Sequence, residues 1–175
     1  MARTELRIAG FGGQGVVLAG VLLGTAAVLY DRKHAIQTQS YGAAARGGAA
    51  RSDVIISDEK IDYPQVTAPD IMVVFTTEAL NKYMNELKPD AVLIIDEDLV
   101  TPPDGTSFSI FSIPATRIAT DELKRGIVAN MIMLGFLSVL TGIVSTCALE
   151  NTIRENVPKG SEELNIAAFR KGVDR

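Results

Sequence analysis

The sequence predicts an α/β fold: a Rossmann-like doubly wound sheet, mostly parallel, with a helical C-terminal segment. Three observations carry that expectation. A short strand-like stretch runs straight into Gly10-Phe11-Gly12-Gly13-Gln14-Gly15 and then into an apolar helical stretch. Two continuous apolar runs, 70–75 and 91–96, flank a helical pattern, and strand, helix, strand with short connections means parallel pairing. From about 126 onward the apolar spacing is helical.

The elements follow in order. Residues 5–9 alternate and read as a short strand. Residues 16–30 are apolar on nearly every face, with Gly20 and Gly24 four apart, which suits a helix packed closely on a sheet. Asp31-Arg32-Lys33 ends it. Residues 34–39 form a second strand, 40–50 a loop rich in Gly and Ala, and 50–57 a third strand closing on Val54, Ile55 and Ile56. The segment 58–69 is rich in turn residues. The runs 70–75 and 91–96 suit strands covered on both faces. Between them 77–87 puts Leu80, Tyr83, Met84 and Leu87 on one helical face, with Thr76 or Thr77 as its cap. Residues 107–113 give a further strand, and Pro114 introduces a short helix to about 123. Helices follow at 127–140, 146–156 and 162–171, the last capped by Ser161 with Glu162 and Glu163 in its first turn. Residues 1–175 are expected to form one domain, of which about 126–175 is the helical part.

Composition narrows the function classes. The chain has 175 residues, with 17 Lys+Arg dispersed among 21 Asp+Glu, so it offers no phosphate-tracking face for nucleic acid. One cysteine, Cys147, cannot make an internal disulfide, a Cys-rich zinc site or a self-contained iron–sulfur cluster. The N-terminus lacks a cleavage-site pattern. The uncharged stretch 126–149 is long enough to cross a bilayer, but it carries Asn130, Ser138, Thr141 and Ser145 and breaks at Thr141-Gly142, so it reads as core or interface helices. A cytoplasmic protein with no membrane contact is expected.

Gly10-x-Gly12-x-x-Gly15 stands where a strand gives way to a helix, so glycines there permit a tight turn and close backbone approach to a ligand. The helix N-terminus supplies free N–H groups and partial positive charge for a phosphate or carboxylate. A turn that only lets the helix pack is the other reading. A nicotinamide site would place an acidic residue at the end of the second strand, where this chain has Gln39-Ser40-Tyr41. No Gly-Lys-Ser/Thr follows, which excludes a nucleotide-hydrolysing P-loop.

A second constellation is Gln39-Ser40-Tyr41-Gly42, followed by Arg46-Gly47-Gly48 and Arg51. Its loop is expected on the same sheet edge as the glycine turn. Two arginines among small residues suit an anion or a partner's acidic loop. The candidate binding residues are therefore Gly10, Gly12, Gly13, Gln14, Gly15, Ser40, Tyr41, Gly42, Arg46, Gly47 and Gly48. No catalytic residue and no metal ligand is assigned. His34 falls at the edge away from that crevice, Cys147 reads as a buried inert thiol, and Asp96-Glu97-Asp98 as a solvated turn.

The Gly12-Gly13-Gln14-Gly15 turn, the loop from Gln39 to Gly48, the Ser52-Asp53-Val54 strand, Asn130 with Leu134-Gly135, and Asn165 with Ala168 together resemble the gamma subunit of 2-oxoacid:ferredoxin oxidoreductases. The likeness spans nearly the whole chain. It implies a subunit of a complex that converts a 2-oxoacid, 2-oxoglutarate being favoured over pyruvate and branched-chain acids, with coenzyme A to acyl-coenzyme A, carbon dioxide and reduced ferredoxin. Thiamine diphosphate, Mg²⁺ and the iron–sulfur clusters would belong to companion alpha, beta and delta subunits, and this chain would supply a wall of the active site facing coenzyme A. Two rival expectations remain: an independent nucleotide-binding oxidoreductase, and a stand-alone acyl-coenzyme A or anion-binding module. The sequence leaves open whether the isolated chain forms a homodimer.

Overall fold

The computed structural model describes residues 3–41 and 48–175. Six strands form one sheet in the order β2-β3-β1-β4-β5-β6, where β1 is Thr4–Phe11, β2 His34–Tyr41, β3 Ala49–Ser57, β4 Ile71–Val74, β5 Val92–Asp96 and β6 Ser109–Ile113. The pairings β1–β4, β4–β5 and β5–β6 are parallel. β3 runs antiparallel to both β1 and β2, because the short connection after Tyr41 can return the chain only as a hairpin. The mostly parallel α/β sheet is thus present, with a reversed strand inserted beside β1. From β1 the chain extends one way to β3 and β2 and the other way to β4, β5 and β6, so the order of strands switches between β1 and β4.

Helices cover the two faces unequally. On one face α2 (Thr77–Tyr83) packs Ala79, Leu80 and Tyr83 over Ala9, Met72, Val74, Leu93 and Ile95. Thr76 caps it, its hydroxyl oxygen accepting the Ala79 N–H at 3.2 Å. The opposite face carries α1 (Val16–Leu29), α4 (Ala129–Thr141), α5 (Thr146–Asn156) and α6 (Glu162–Val173) over Leu6, Ile8, Val54, Ile56, Val73 and Ile94. β4 is buried along its whole length, as continuous apolar strands require. α1 lies so close to β3 that a Cβ on Gly20 would fall 2.0 Å from Ser52 Oγ. α4 and α6 cross in backbone contact, since a Cβ on Gly172 would fall 1.9 Å from the Ile132 carbonyl oxygen.

Some details depart from the sequence reading. The helix expected at 77–87 tightens after Tyr83 into a single turn, Met84–Glu86. After Pro114 the short helix is one α turn, α3 (Ala115–Arg117), followed by a wider turn over Ile118–Glu122. Ser161 stands at the N-cap of α6 as expected, but its side chain bonds no helix N–H; the hydroxyl donates instead to the Pro158 carbonyl at 2.7 Å. Cys147 is exposed, because α5 turns its first residues outward. No helix among the described residues is long and apolar enough to cross a membrane. The break at Thr141-Gly142 is real: Gly142 ends α4 at φ +61°.

Candidate functional site

The carboxyl ends of the parallel strands converge on a cleft of about 380 Å³ lined by Gly13, Gln14, Phe75, Leu99, Thr116, Gly126, Ile127 and Ala129. It lies where the strand order switches between β1 and β4, the place where open α/β sheets bind ligands. Each wall belongs to a different connection: the glycine turn after β1, Phe75 after β4, Leu99 after β5, Thr116 after β6, and the segment entering α4. A larger hollow of about 690 Å³ lies at the other end of the sheet, among Arg3, Glu5 and residues 57–63. That end holds the amino termini of the parallel strands and no helix N-terminus of the glycine turn, so the smaller cleft is the candidate site.

The glycines of the turn divide the work. Gly10 is buried inside β1, and a Cβ there would meet Gln14 Oε1 at 2.5 Å and Phe75 Cβ at 3.0 Å. Gln14 folds its side chain back, Oε1 accepting the Phe11 N–H at 2.7 Å, which closes the turn on itself. Gly13, at φ +99°, has nothing within 4 Å of an added Cβ and leaves the backbone open to the cleft. Gly15, at φ +72°, is the first cap of α1 and would collide with Asn130 Nδ2 at 2.2 Å if it carried a Cβ. Asn130 in turn donates from Nδ2 to the Gly15 carbonyl at 3.3 Å, tying the turn to the start of α4. Among the described residues no side chain caps α1, and no acidic residue stands in its first turn. Its N-terminal N–H groups lack intrahelical partners and, with the helix dipole, favour an anion there.

The floor beneath Thr116 is Asp96, which ends β5 wholly buried. Its carboxylate accepts the Thr116 hydroxyl at 2.6 Å, the Thr116 N–H at 3.0 Å and the Asp98 N–H at 3.3 Å. Burial pushes the Asp96 carboxyl above the usual carboxylate range, and these bonds offset only part of that effect. The acidic run is therefore not a solvated turn throughout: Asp96 is interior, while Glu97 and Asp98 pair with Arg117 at 2.7 and 3.5 Å. The sequence signal was the unbroken apolar run that ends on Asp96, which makes it the last residue of a covered strand.

The structure brings the two sequence constellations together at one point. The Gly12 N–H donates to the Gly48 carbonyl at 2.9 Å. Ser40 and Tyr41 stand opposite Arg51 and Ala50 on β3, with Ala50 opposite Gly10 on β1. Two strand spacings, roughly 10 Å, separate Tyr41 from the turn, and neither Ser40 nor Tyr41 lines the cleft. Gly42, Arg46 and Gly47 lie outside the described residues. Phe75, Leu99, Thr116 and Ile127 line the cleft without having been singled out by spacing, since each follows a different strand and only the topology unites them.

Acids that might serve a ribose are committed elsewhere. Asp31 holds the start of α5 at the far end of the sheet, accepting the Ser145 N–H and hydroxyl at 2.7 Å each. Asp53 is buried against Arg7 at 2.8 and 3.2 Å. His34 is exposed at the amino end of β2, opposite Ser57 and away from the cleft. Among the described residues no group of three or more His, Cys, Asp or Glu is placed to hold a metal ion.

The model of the family described as pyruvate ferredoxin/flavodoxin oxidoreductase matches residues 5–175. The 2-oxoglutarate synthase subunit KorC of Methanocaldococcus jannaschii is 53% identical over 174 residues, covering 98% of this chain and 93% of the relative. A keto/oxoacid ferredoxin oxidoreductase gamma subunit from Geobacter sulfurreducens superposes with a TM-score of 0.87 at 42% identity, covering 98% of this chain and 96% of the other. The 2-oxoglutarate:ferredoxin oxidoreductase of Magnetococcus marinus, solved with 2-oxoglutarate, coenzyme A and succinyl-CoA bound, gives a TM-score of 0.89 at 25% identity over 99% of this chain and 31% of that longer chain.

Proposed function

The chain belongs to the pyruvate ferredoxin/flavodoxin oxidoreductase family, and from that membership we propose that it is the gamma-type subunit of a 2-oxoglutarate:ferredoxin oxidoreductase. The observation that carries the substrate is 53% identity, across 98% of the chain, with a subunit named for 2-oxoglutarate synthase. In the complex 2-oxoglutarate and coenzyme A give succinyl-coenzyme A and carbon dioxide, and the electrons pass to ferredoxin. A donor set with one cysteine does not fit an iron–sulfur cluster, and the family membership implies that the clusters, thiamine diphosphate and Mg²⁺ are held by companion alpha, beta and delta subunits.

The chain's own contribution is a wall of the coenzyme A site. Coenzyme A fits the cleft by chemistry: its phosphates suit the uncapped N-terminus of α1 beside the open backbone of Gly13, and its uncharged arm suits Phe75, Leu99 and Ile127. Ile127 is 71% exposed in the isolated chain, a large apolar side chain left at the cleft rim for a companion subunit or ligand to cover. Gly12 to Gly15 and Arg46 with its neighbours act on coenzyme A, not on the bond-breaking at the oxoacid.

The test is anaerobic purification of the tagged chain from its host, with co-purifying chains identified by mass and the complex assayed with 2-oxoglutarate and pyruvate. A fixed-ratio complex turning over 2-oxoglutarate supports the reading, and a complex specific for pyruvate moves the substrate. Recovery of the chain alone, with tight nucleotide binding, returns it to the independent oxidoreductase class.

A further inference from the structure

We propose that the outer edge of β2 and the exposed strip of α1 form a two-fold interface between two copies of this chain. α1 carries no charged residue from Val16 to Leu29, yet one side of it faces solvent: Val21, Val28 and Leu29 are 41%, 44% and 63% exposed. Beside that strip lies a groove of about 340 Å³ lined by Val21, Gly24, Thr25, Val28, Leu29, Ala35 and Gln37, which joins the helix to β2. A helix apolar on all sides belongs in an interior or an interface.

β2 ends the sheet, runs for eight residues and, among the described residues, pairs only with β3. Natural edge strands are blunted by Lys, Pro, bulges or short length. β2 has none of these: it is His-Ala-Ile-Gln-Thr-Gln-Ser-Tyr, its pairing with β3 is unbroken from His34 to Tyr41, and it contains no Asp, Glu, Lys or Arg. β6, the other edge, has five residues and is stopped by Pro114.

A second copy is the occupant that satisfies both halves at once. Antiparallel pairing of β2 with its own copy, about a two-fold axis normal to the sheet, keeps both α1 helices on the same face and sets one apolar strip against the other. Because the strand and the strip are both uncharged, self-pairing brings no like charges into contact, the usual obstacle to an isologous interface. Tyr41 of each copy then lies near residues 32–34 of the other. The contact is narrow: eight residues of strand span roughly 27 Å, and two layers add roughly 15 Å of width, so a modest, concentration-dependent dimer results. The glycine cleft lies beyond β3 and stays open in this arrangement.

Sedimentation equilibrium of the purified chain over a micromolar concentration series tests the interface. The expected result is a monomer–dimer equilibrium reaching twice the 18.7 kDa chain mass. Val28→Lys on the helix and Thr38→Lys on the strand each return the chain to monomer, with circular dichroism and Tm close to the parent's because both positions are at the surface. A parent chain that stays monomeric throughout overturns the proposal. So does a dimer that both folded variants retain, or a monomer whose Val28→Lys variant loses only its companion subunits, which would assign the strip to them. The self-association of the purified chain, present or absent, does not bear on whether the chain assembles into an oxidoreductase.

Discussion

Arg7 and Asp53 face each other directly across the β1–β3 ladder, joined by bonds of 2.8 and 3.2 Å, with Arg7 1% exposed. Glu86 bonds the same guanidinium, and the Tyr83 ring lies 5.0 Å from it. Burial works against the Arg7 charge, but the bonds to Asp53 and Glu86 outweigh it and hold the guanidinium above its ordinary value.

Removing one partner leaves a buried charge short of its match. Asp53→Ala is expected to destabilise the chain by about 3–5 kcal/mol, whereas Arg7→Met combined with Asp53→Leu recovers much of that loss. Urea denaturation with a common m-value measures both. An Asp53→Ala variant as stable as the parent would mean that Glu86 alone satisfies Arg7.

The glycine turn separates backbone strain from collision. Gly13→Ala meets only the cost of a left-handed conformation, roughly 1–2 kcal/mol. Gly15→Ala meets the same strain and also displaces Asn130, so it should be the more damaging, and Asn130→Ala should relieve part of the difference. Thermal melts of the three variants decide it.

Asp96 gives the stability a defined pH dependence. Its folded carboxyl lies above the unfolded value of about 3.9, so through the window between the two the native state keeps a proton that the unfolded chain has released. Stability from this group therefore falls as pH rises through that window and stays lowered above it. Asp96→Asn cannot titrate, so parent and variant profiles should diverge in the variant's favour as pH climbs from acid to neutral. Parallel profiles would remove Asp96 as the cause.

Arg46→Ala should raise the KM for coenzyme A in the assembled enzyme and leave assembly unchanged. Ile127→Asp should leave the isolated chain folded, since the side chain is at the rim, and lower the activity of the complex. Steady-state kinetics with varied coenzyme A, alongside gel filtration of the complex, distinguishes the two effects.

Much of the fold was legible because single segments carry it. The runs ending at Phe75 and Asp96 could only be covered strands, and 146–156 is a helix to the residue because Ser145 caps it. β3 was visible as a strand but its direction was not, since direction depends on where a hairpin returns, not on alternation. The glycine turn was legible for the same reason as the strands: its chemistry is contiguous. The rest of the cleft was not, because Phe75, Leu99, Thr116 and Ile127 meet only once the ends of β4, β5 and β6 and the start of α4 are brought side by side. Asp96 and Cys147 exchanged their expected environments, one because a carboxylate can be buried under a threonine, the other because an apolar neighbour in sequence need not be a neighbour in space.

β1 is made before either of its neighbours. It lies inside the sheet, yet its partners β3 and β4 end only at Ser57 and Val74, so neither neighbour has been synthesised when the first turn and α1 are complete. During that interval Leu6, Ile8 and an uncharged fourteen-residue helix have no sheet to lie on. Until synthesis passes residue 74 this apolar segment lacks the sheet that covers it, so shielding it over that interval favours productive folding.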